Sequence, residues 1–228
     1  MATSEDDSET GLPARLGKLS TSGVSDALDR LGIPGQALGI APLDRSFRVV
    51  GRAWTLRYGP VGQDRGTVGD YIDDLGPGDV VVLDNQGRLD ATVWGDILTT
   101  VAHRRAVAGT VIDGVCRDVD RSLQLGYPVF ARGNCMRTGK DRVRVEATQV
   151  PVSIGGIRVE PGDLLLGDGD GLVVIPAVRA GEVLAVAEGI EQAEETIRAA
   201  VEAGTPLREA RSATGYHDLQ HRVAGDER

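Results

Sequence analysis

Three short apolar segments do most to limit what this chain can fold into: Val80–Leu83, "TVIDG" at 110–114 and "PVFARG" at 128–133. Each is too short for a core helix, is rich in β-branched or aromatic residues and is bounded by Gly, Pro or charge, which reads as a strand buried on both faces. Between them lie helical patterns: "ATVWGDILTTVAHRRAVAG", with a helix beginning near Gly95, and "DVDRSLQLG". Strand, helix, strand, helix, strand is the signature of βαβ units, so this part of the chain should form a largely parallel sheet.

The flanks read differently. "LGKLSTSGVSDALDRLG" places Leu16, Leu19, Val24, Leu28 and Leu31 near helical spacing, with Ser20, Ser22 or Ser25 as a cap and Gly32-Ile33-Pro34-Gly35 as a stop. "FRVVGRAWTLRY" reads as two strand pieces about Gly51, and "VGDYIDDLG" as a short helix. After residue 142, short strands are split by Gly-Gly, Pro-Gly-Asp and Asp-Gly turns, which suits antiparallel hairpins. "AVRAGEVLAVAEGIEQAEETIRAAVEAG" gives one or two amphipathic helices, with "EQAEETIRAA" as a solvated face or one that packs on a partner. The domain expectation is an acidic disordered tail over 1–12, an α/β domain over 13–190 and a helical extension over 191–228. With aromatics at 4%, the core must be aliphatic.

A net charge of −9 argues against a nucleic-acid binder, which needs clustered Lys and Arg, but leaves room for a small anionic substrate held by one or two arginines. The two cysteines, Cys116 and Cys135, lack CxxC spacing and suit a reducing cytoplasm. No apolar run reaches the roughly 18 residues of a membrane span, and the N-terminus lacks a signal peptide's basic and apolar parts. The expectation is a cytoplasmic protein with no membrane or nucleic-acid partner.

Adjacent charges follow the strand "TVIDG": Arg117 and Asp118 stand at its C-terminal edge, where open α/β sheets bind ligands. The helix starting at Gly95, Asp96, Ile97 and Leu98 leads into the same strand and offers its N-terminal amides and dipole to a carboxylate. Arg117 suits a bidentate clamp on that anion, and Asp118 a divalent cation beside it. One carboxylate is enough for Mg²⁺, which keeps several waters and lets the oxygens of a 2-keto acid complete its shell. Such an ion would stabilise an enolate, with Asp96 holding a metal-bound water and relaying the proton.

Gly-Asp, twenty residues, then Arg-Asp, together with "VIDGVCRDVD", "GYPVFARG" and "GDGDGLVVIP", resembles the 4-hydroxy-4-methyl-2-oxoglutarate / 4-carboxy-4-hydroxy-2-oxoadipate aldolase family, which includes the regulator of ribonuclease E activity A. The resemblance spans about Leu16 to Ile190. It implies an αββα sandwich with a swivelling-domain-like core and a mixed sheet, assembled as a homotrimer or homohexamer with interfacial active sites. It further implies Asp118 as ligand of Mg²⁺ or Mn²⁺, Arg117 as substrate arginine, Gly95 to Leu98 as carboxylate site and Asp96 as the acid holding a water. Members cleave 4-hydroxy-2-oxo diacids to pyruvate and decarboxylate oxaloacetate. They also draw an acid from a neighbouring subunit, for which Glu194 and Glu195 are candidates.

The regulators lack the acid after the arginine, so Asp118 favours the catalytic branch. The alternatives are a regulator-like interaction module and a sister metal-dependent lyase on another 2-keto acid.

Other motifs read as structural. "GDGDG" fails as a calcium loop, because Val173 and Arg179 stand where Gly and Glu are required. His103, His217 and His221 accompany no nucleophile motif, and "GNCMRTGK" lacks Walker-A spacing. No glycine-rich nucleotide loop supports a methyltransferase.

Overall fold

The computed structural model describes residues 11–63 and 66–216. His217 and His221 lie outside these residues. So does most of the segment expected as a tail to residue 12, although Leu12 itself is buried and opens a helix. In chain order the elements are α1 (Leu12–Leu16), α2 (Thr21–Arg30), β1 (Ala41–Pro42), β2 (Val49–Pro60), a 3-10 turn (Asp70–Asp74), β3 (Asp79–Thr92), α3 (Asp96–Arg104), β4 (Gly109–Cys116), α4 (Val119–Leu125) and β5 (Val129–Asn134). There follow β6 (Val143–Thr148), β7 (Val152–Ile154), β8 (Ile157–Val159), β9 (Leu164–Asp168), β10 (Gly171–Ile175), α5 (Ala180–Glu202) and α6 (Leu207–Thr214).

Contacts divide the chain into two units: Gln36–Ala177, and the N-terminal residues to Gly35 together with the chain from Val178 onward. The boundary expected at residue 190 falls inside α5, which runs unbroken from Ala180 to Glu202.

The larger unit is a mixed sheet in the order β1-β5-β4-β3-β2-β9-β10, the α/β class expected from the sequence. Strands β2, β3, β4 and β5 are parallel, as the alternation requires, and the outer pairings are antiparallel. "FRVVGRAWTLRY" forms one strand rather than two pieces. Gly51 passes smoothly through it because β3 approaches so closely that a Cβ there would stand 2.3 Å from the Gly78 carbonyl oxygen. The length of β2 lets one edge serve two partners, with Val49–Arg52 pairing β9 and Leu56–Pro60 pairing β6.

Burial on both faces explains why β3 and β4 read as unbroken apolar runs. Val81, Leu83, Ile112 and Cys116 enter one core with Trp54, Trp94 and Tyr127, while Val80, Val82 and Val111 enter a second with Phe130, Leu165 and Val174. Each buried Val, Leu or Ile contributes about 1.5–3 kcal/mol relative to exposure. The β7–β8 hairpin packs into the second core through Val152, Ile154 and Val159. Two buried aspartates that are cross-strand neighbours anchor it: Asp84 accepts from the Ser153 amide (3.2 Å) and Asp113 from that of Gly155 (2.9 Å).

In the smaller unit, the single helix expected from Leu16 onward is broken between α1 and α2. Ser20 causes the break by adopting extended backbone and capping α2, its hydroxyl accepting from the Gly23 amide at 3.1 Å. Ser20 also donates to Glu191 of α5, and Arg15 of α1 pairs with Glu188 at 2.8 Å, so both helices are tied to α5.

Candidate functional site

The site begins with an irregularity in β3. Val80–Asp84 run in register with β4, but Asp84, Arg88 and Thr92 then pair successive β4 residues Asp113, Gly114 and Val115. The chain thus makes excursions between those contacts, with Gln86 and Gly87 at positive φ. It returns so that Trp94 and Gly95 lie along the end of β4, where the Arg117 amide donates to the Trp94 carbonyl at 2.9 Å. The region that ends as a strand at Leu83 in a reading of hydrophobicity is therefore what carries Gly95 to Arg117 and Asp118.

Asp118 caps α4 in the left-handed conformation (φ 56°, ψ 42°), which Asp tolerates better than most residues. Its Oδ2 lies 3.3 Å from the Asp96 amide, which donates to it, and 3.3 Å from Arg117 Nε. Gly95 is what permits this approach, since a Cβ there would lie 2.7 Å from Asp118 Oδ2. The Asp118 side chain is 40% exposed, and its Oδ1 has no protein partner among the described residues. Gly95, Asp96, Ile97, Leu98, Arg117 and Asp118 therefore gather at one place, while the candidate acids Glu194 and Glu195 lie on α5 of the other unit.

One expectation changes in detail. The start of α3 does not present an open row of amides: Asp118 takes the Asp96 amide, and Asp96 Oδ1 takes that of Ile97 at 2.8 Å. The amides of Gly95 and Leu98 have no acceptor among the described residues. Below this turn, Thr99 is buried and donates its hydroxyl to the Gly95 carbonyl while accepting from Trp94 Nε1, both at 2.9 Å. Trp94 stacks on Tyr127, whose hydroxyl pairs with Thr110 on β4, so the site is braced against the sheet.

Burial pushes the thiol of Cys116 up to about 11, with the nearby Asp118 charge adding to the effect. The buried thiol is an inert filler of the core.

A cleft of about 410 Å³ opens at the site. Gly95, Asp96, Ile97, Leu98 and Arg117 line it, together with Val68, Ile72 and the acidic residues Asp70 and Asp73. Thr92, Thr138 and Lys140 complete the wall. Asp70, Asp73 and Lys140 carry no signal in the sequence, because only the sheet register and the return of distant loops bring them here.

A metal must fit a sparse donor set. Among the described residues there is no group of three or more His, Cys, Asp or Glu side chains able to hold an ion. Asp118, with one carboxylate oxygen unused by the protein, suits an oxygen-preferring ion that retains water, and is too thin a shell for zinc.

The profile of the RraA-like family (Aldolase/RraA) matches residues 21–174, about two thirds of the chain and all of the site. The chain belongs to the RraA-like family. Protein DlpA of Legionella pneumophila is 39% identical over 211 residues, which cover 91% of this chain but only 34% of DlpA, so the chain spans about a third of that relative's length. A Halalkalibacterium halodurans protein, provisionally named a 4-hydroxy-4-methyl-2-oxoglutarate aldolase, is 35% identical over 180 residues, covering 79% of this chain and 83% of its own. The crystal structure of RraAS2 from Streptomyces coelicolor, described as an unusual member of the RNase ES inhibitor RraA family, superposes with a TM-score of 0.77 at 33% identity, covering 86% and 99% of the two chains. Among the described residues of this RraA-like chain, no helix is long and apolar enough to cross a membrane.

Proposed function

We propose that the chain is a divalent-metal-dependent lyase that cleaves 4-hydroxy-2-oxo diacids to pyruvate and decarboxylates oxaloacetate through the same pyruvate enolate. The observation that carries the reading is the meeting of Asp118 with Arg117 and the start of α3, which line one cleft, Asp118 Oδ2 lying 3.3 Å from both the Asp96 amide and Arg117 Nε. The aldolase name of the H. halodurans relative supports it.

Asp118 would hold Mg²⁺ or Mn²⁺, which when bound supplies Lewis-acid polarisation of the 2-oxo group. Arg117 lies beside that position and neutralises negative charge growing on the 2-oxo oxygen. The Leu98 amide and the positive end of α3 face the substrate carboxylate. Asp96 takes the proton of the 4-hydroxyl as the C3–C4 bond breaks. That hydroxyl oxygen becomes the carbonyl of the leaving fragment, and the electron pair forms the pyruvate enolate, which is then protonated at C3. Assembly as a trimer or hexamer in the cytoplasm belongs to the same proposal.

The test is pyruvate release from 4-hydroxy-4-methyl-2-oxoglutarate and from oxaloacetate, with Mg²⁺ and with chelator, for the wild type and Asp118→Asn. Asn keeps the shape and tolerates the left-handed backbone. The expected result is metal-dependent release from both substrates and a loss of about 10²–10³-fold in the folded variant. Full activity in Asp118→Asn would remove the metal assignment. Absence of both turnover and metal binding would instead favour an interaction protein like the RNase ES inhibitor family of RraAS2.

A further inference from the structure

Lys140 belongs to "GNCMRTGK", the segment whose spacing excluded a nucleotide loop. It lines the same cleft as Asp70 and Asp73 of the acidic 3-10 turn, and its backbone is held in place. Thr92 receives this loop on β3: its amide and hydroxyl both donate to the Arg137 carbonyl at 3.0 Å, and Thr138 bridges Thr92 in parallel. Gly139 then presses so closely that a Cβ would sit 2.2 Å from the Thr92 carbonyl oxygen. The Lys140 amide donates to Thr138 Oγ1, and the Arg142 guanidinium donates to the carbonyls of Thr138 and Lys140.

The neighbouring cations are already engaged. Arg88 and Arg137 share Asp90 at 3.0 and 3.5 Å, Arg105 binds Asp73, and Arg117 pairs with Asp118. Lys140 has no ion-pair partner among the described residues. In a chain of net charge −9, one cationic side chain lacking a carboxylate, held on a rigid loop in a cleft, has a role for an anion to fill.

We propose that Lys140 is the specificity-determining residue for a second carboxylate, borne on C4 of the substrate; the assignment rests on the pyruvyl-aldol reading above. With the pyruvyl half at Arg117, Asp118 and the start of α3, the C4 substituents face the remainder of the cleft. There Asp70 repels an anion, Asp73 is paired with Arg105, and Lys140 attracts the anion, which favours the C4 carboxylate lying by the 135–142 loop.

Two substrates that differ only in this group test it: 4-hydroxy-4-methyl-2-oxoglutarate and 4-hydroxy-4-methyl-2-oxopentanoate, in which a methyl replaces the C4 carboxylate. Lys140→Met should raise KM for the diacid about 10- to 100-fold, the size of one lost charge-assisted hydrogen bond, with kcat little changed. KM for the monoacid should stay within about twofold, and Lys140→Arg should restore most of the diacid preference. Equal losses on both substrates, or none on either, would overturn the assignment while leaving the enolate chemistry intact. Failure of the wild type to release pyruvate from either would overturn the underlying reading and this assignment with it.

Discussion

Replacing Gly95 by alanine isolates the position of Asp118 from the integrity of the fold. Gly95 has extended backbone (φ −159°, ψ −166°), which alanine adopts without strain. The obstacle is the Asp118 carboxylate: the new Cβ would stand 2.7 Å from Oδ2, against ordinary contact at 3.4 Å, so that oxygen must retreat by about 0.7 Å. The retreat draws it off the Asp96 amide, which it meets at only 3.3 Å.

Two small effects on stability then oppose each other. Reduced chain entropy in the unfolded state favours alanine by about 0.4–1 kcal/mol, and the weakened hydrogen bond costs about 1 kcal/mol. Tm should therefore move by no more than about 3 °C. Catalysis has no such compensation, because displacing a reacting group by under 1 Å costs about 10²-fold, or about 2.7 kcal/mol of transition-state stabilisation. Metal-dependent pyruvate release and thermal unfolding, measured on the same preparation, decide the matter. Full activity in Gly95→Ala would refute the placement of chemistry at Asp118, and a large fall in Tm would show that Gly95 serves the fold instead.

Two further outcomes follow from buried groups. Asp113→Ala strips the Arg132 guanidinium and the Gly155 amide of their shared acceptor, so urea unfolding should show a loss of about 3 kcal/mol; a loss under about 1 kcal/mol would mean that the β7–β8 hairpin is not anchored there. The Cys116 thiol is raised from an ordinary 9.0 to about 11, so the folded state favours its protonated form, and its contribution to stability is held below about pH 9 and lost as pH rises toward 11. Iodoacetamide at pH 8 should accordingly label Cys116 only after denaturation, as read by peptide mass; rapid labelling of Cys116 in the native protein would contradict its burial.

The parallel core was legible because its strands are buried on both faces, so that hydrophobicity alone marks Val80–Leu83 and Thr110–Ile112. The continuation of β3 was not. Asp84, Asn85 and Gln86 look like the end of a strand, and only distant partners make them tolerable: Asp84 accepts from the Gln86 and Ser153 amides, and Gln86 donates to the Tyr58 carbonyl. The heart of the site could be read for the converse reason. Gly95-Asp96 opens a helix and Arg117-Asp118 ends the strand that follows it, so local order along the chain brings them together. Asp70, Asp73 and Lys140 reach the same cleft through loop closures that leave no periodic trace.

The left-handed backbone at residue 118 also bears on how such a chain could change over generations. Most substitutions there would carry a conformational cost in addition to the loss of the carboxylate, whereas Asn and Gly fit the backbone at little cost. Both lie a single base away from an Asp codon. A lineage released from selection for turnover therefore has two cheap exits at this position, each leaving the fold and its surfaces intact for other use. In libraries randomised at 118 and selected for folding alone, Asp, Asn and Gly should be recovered together, and only a selection for catalysis should separate them.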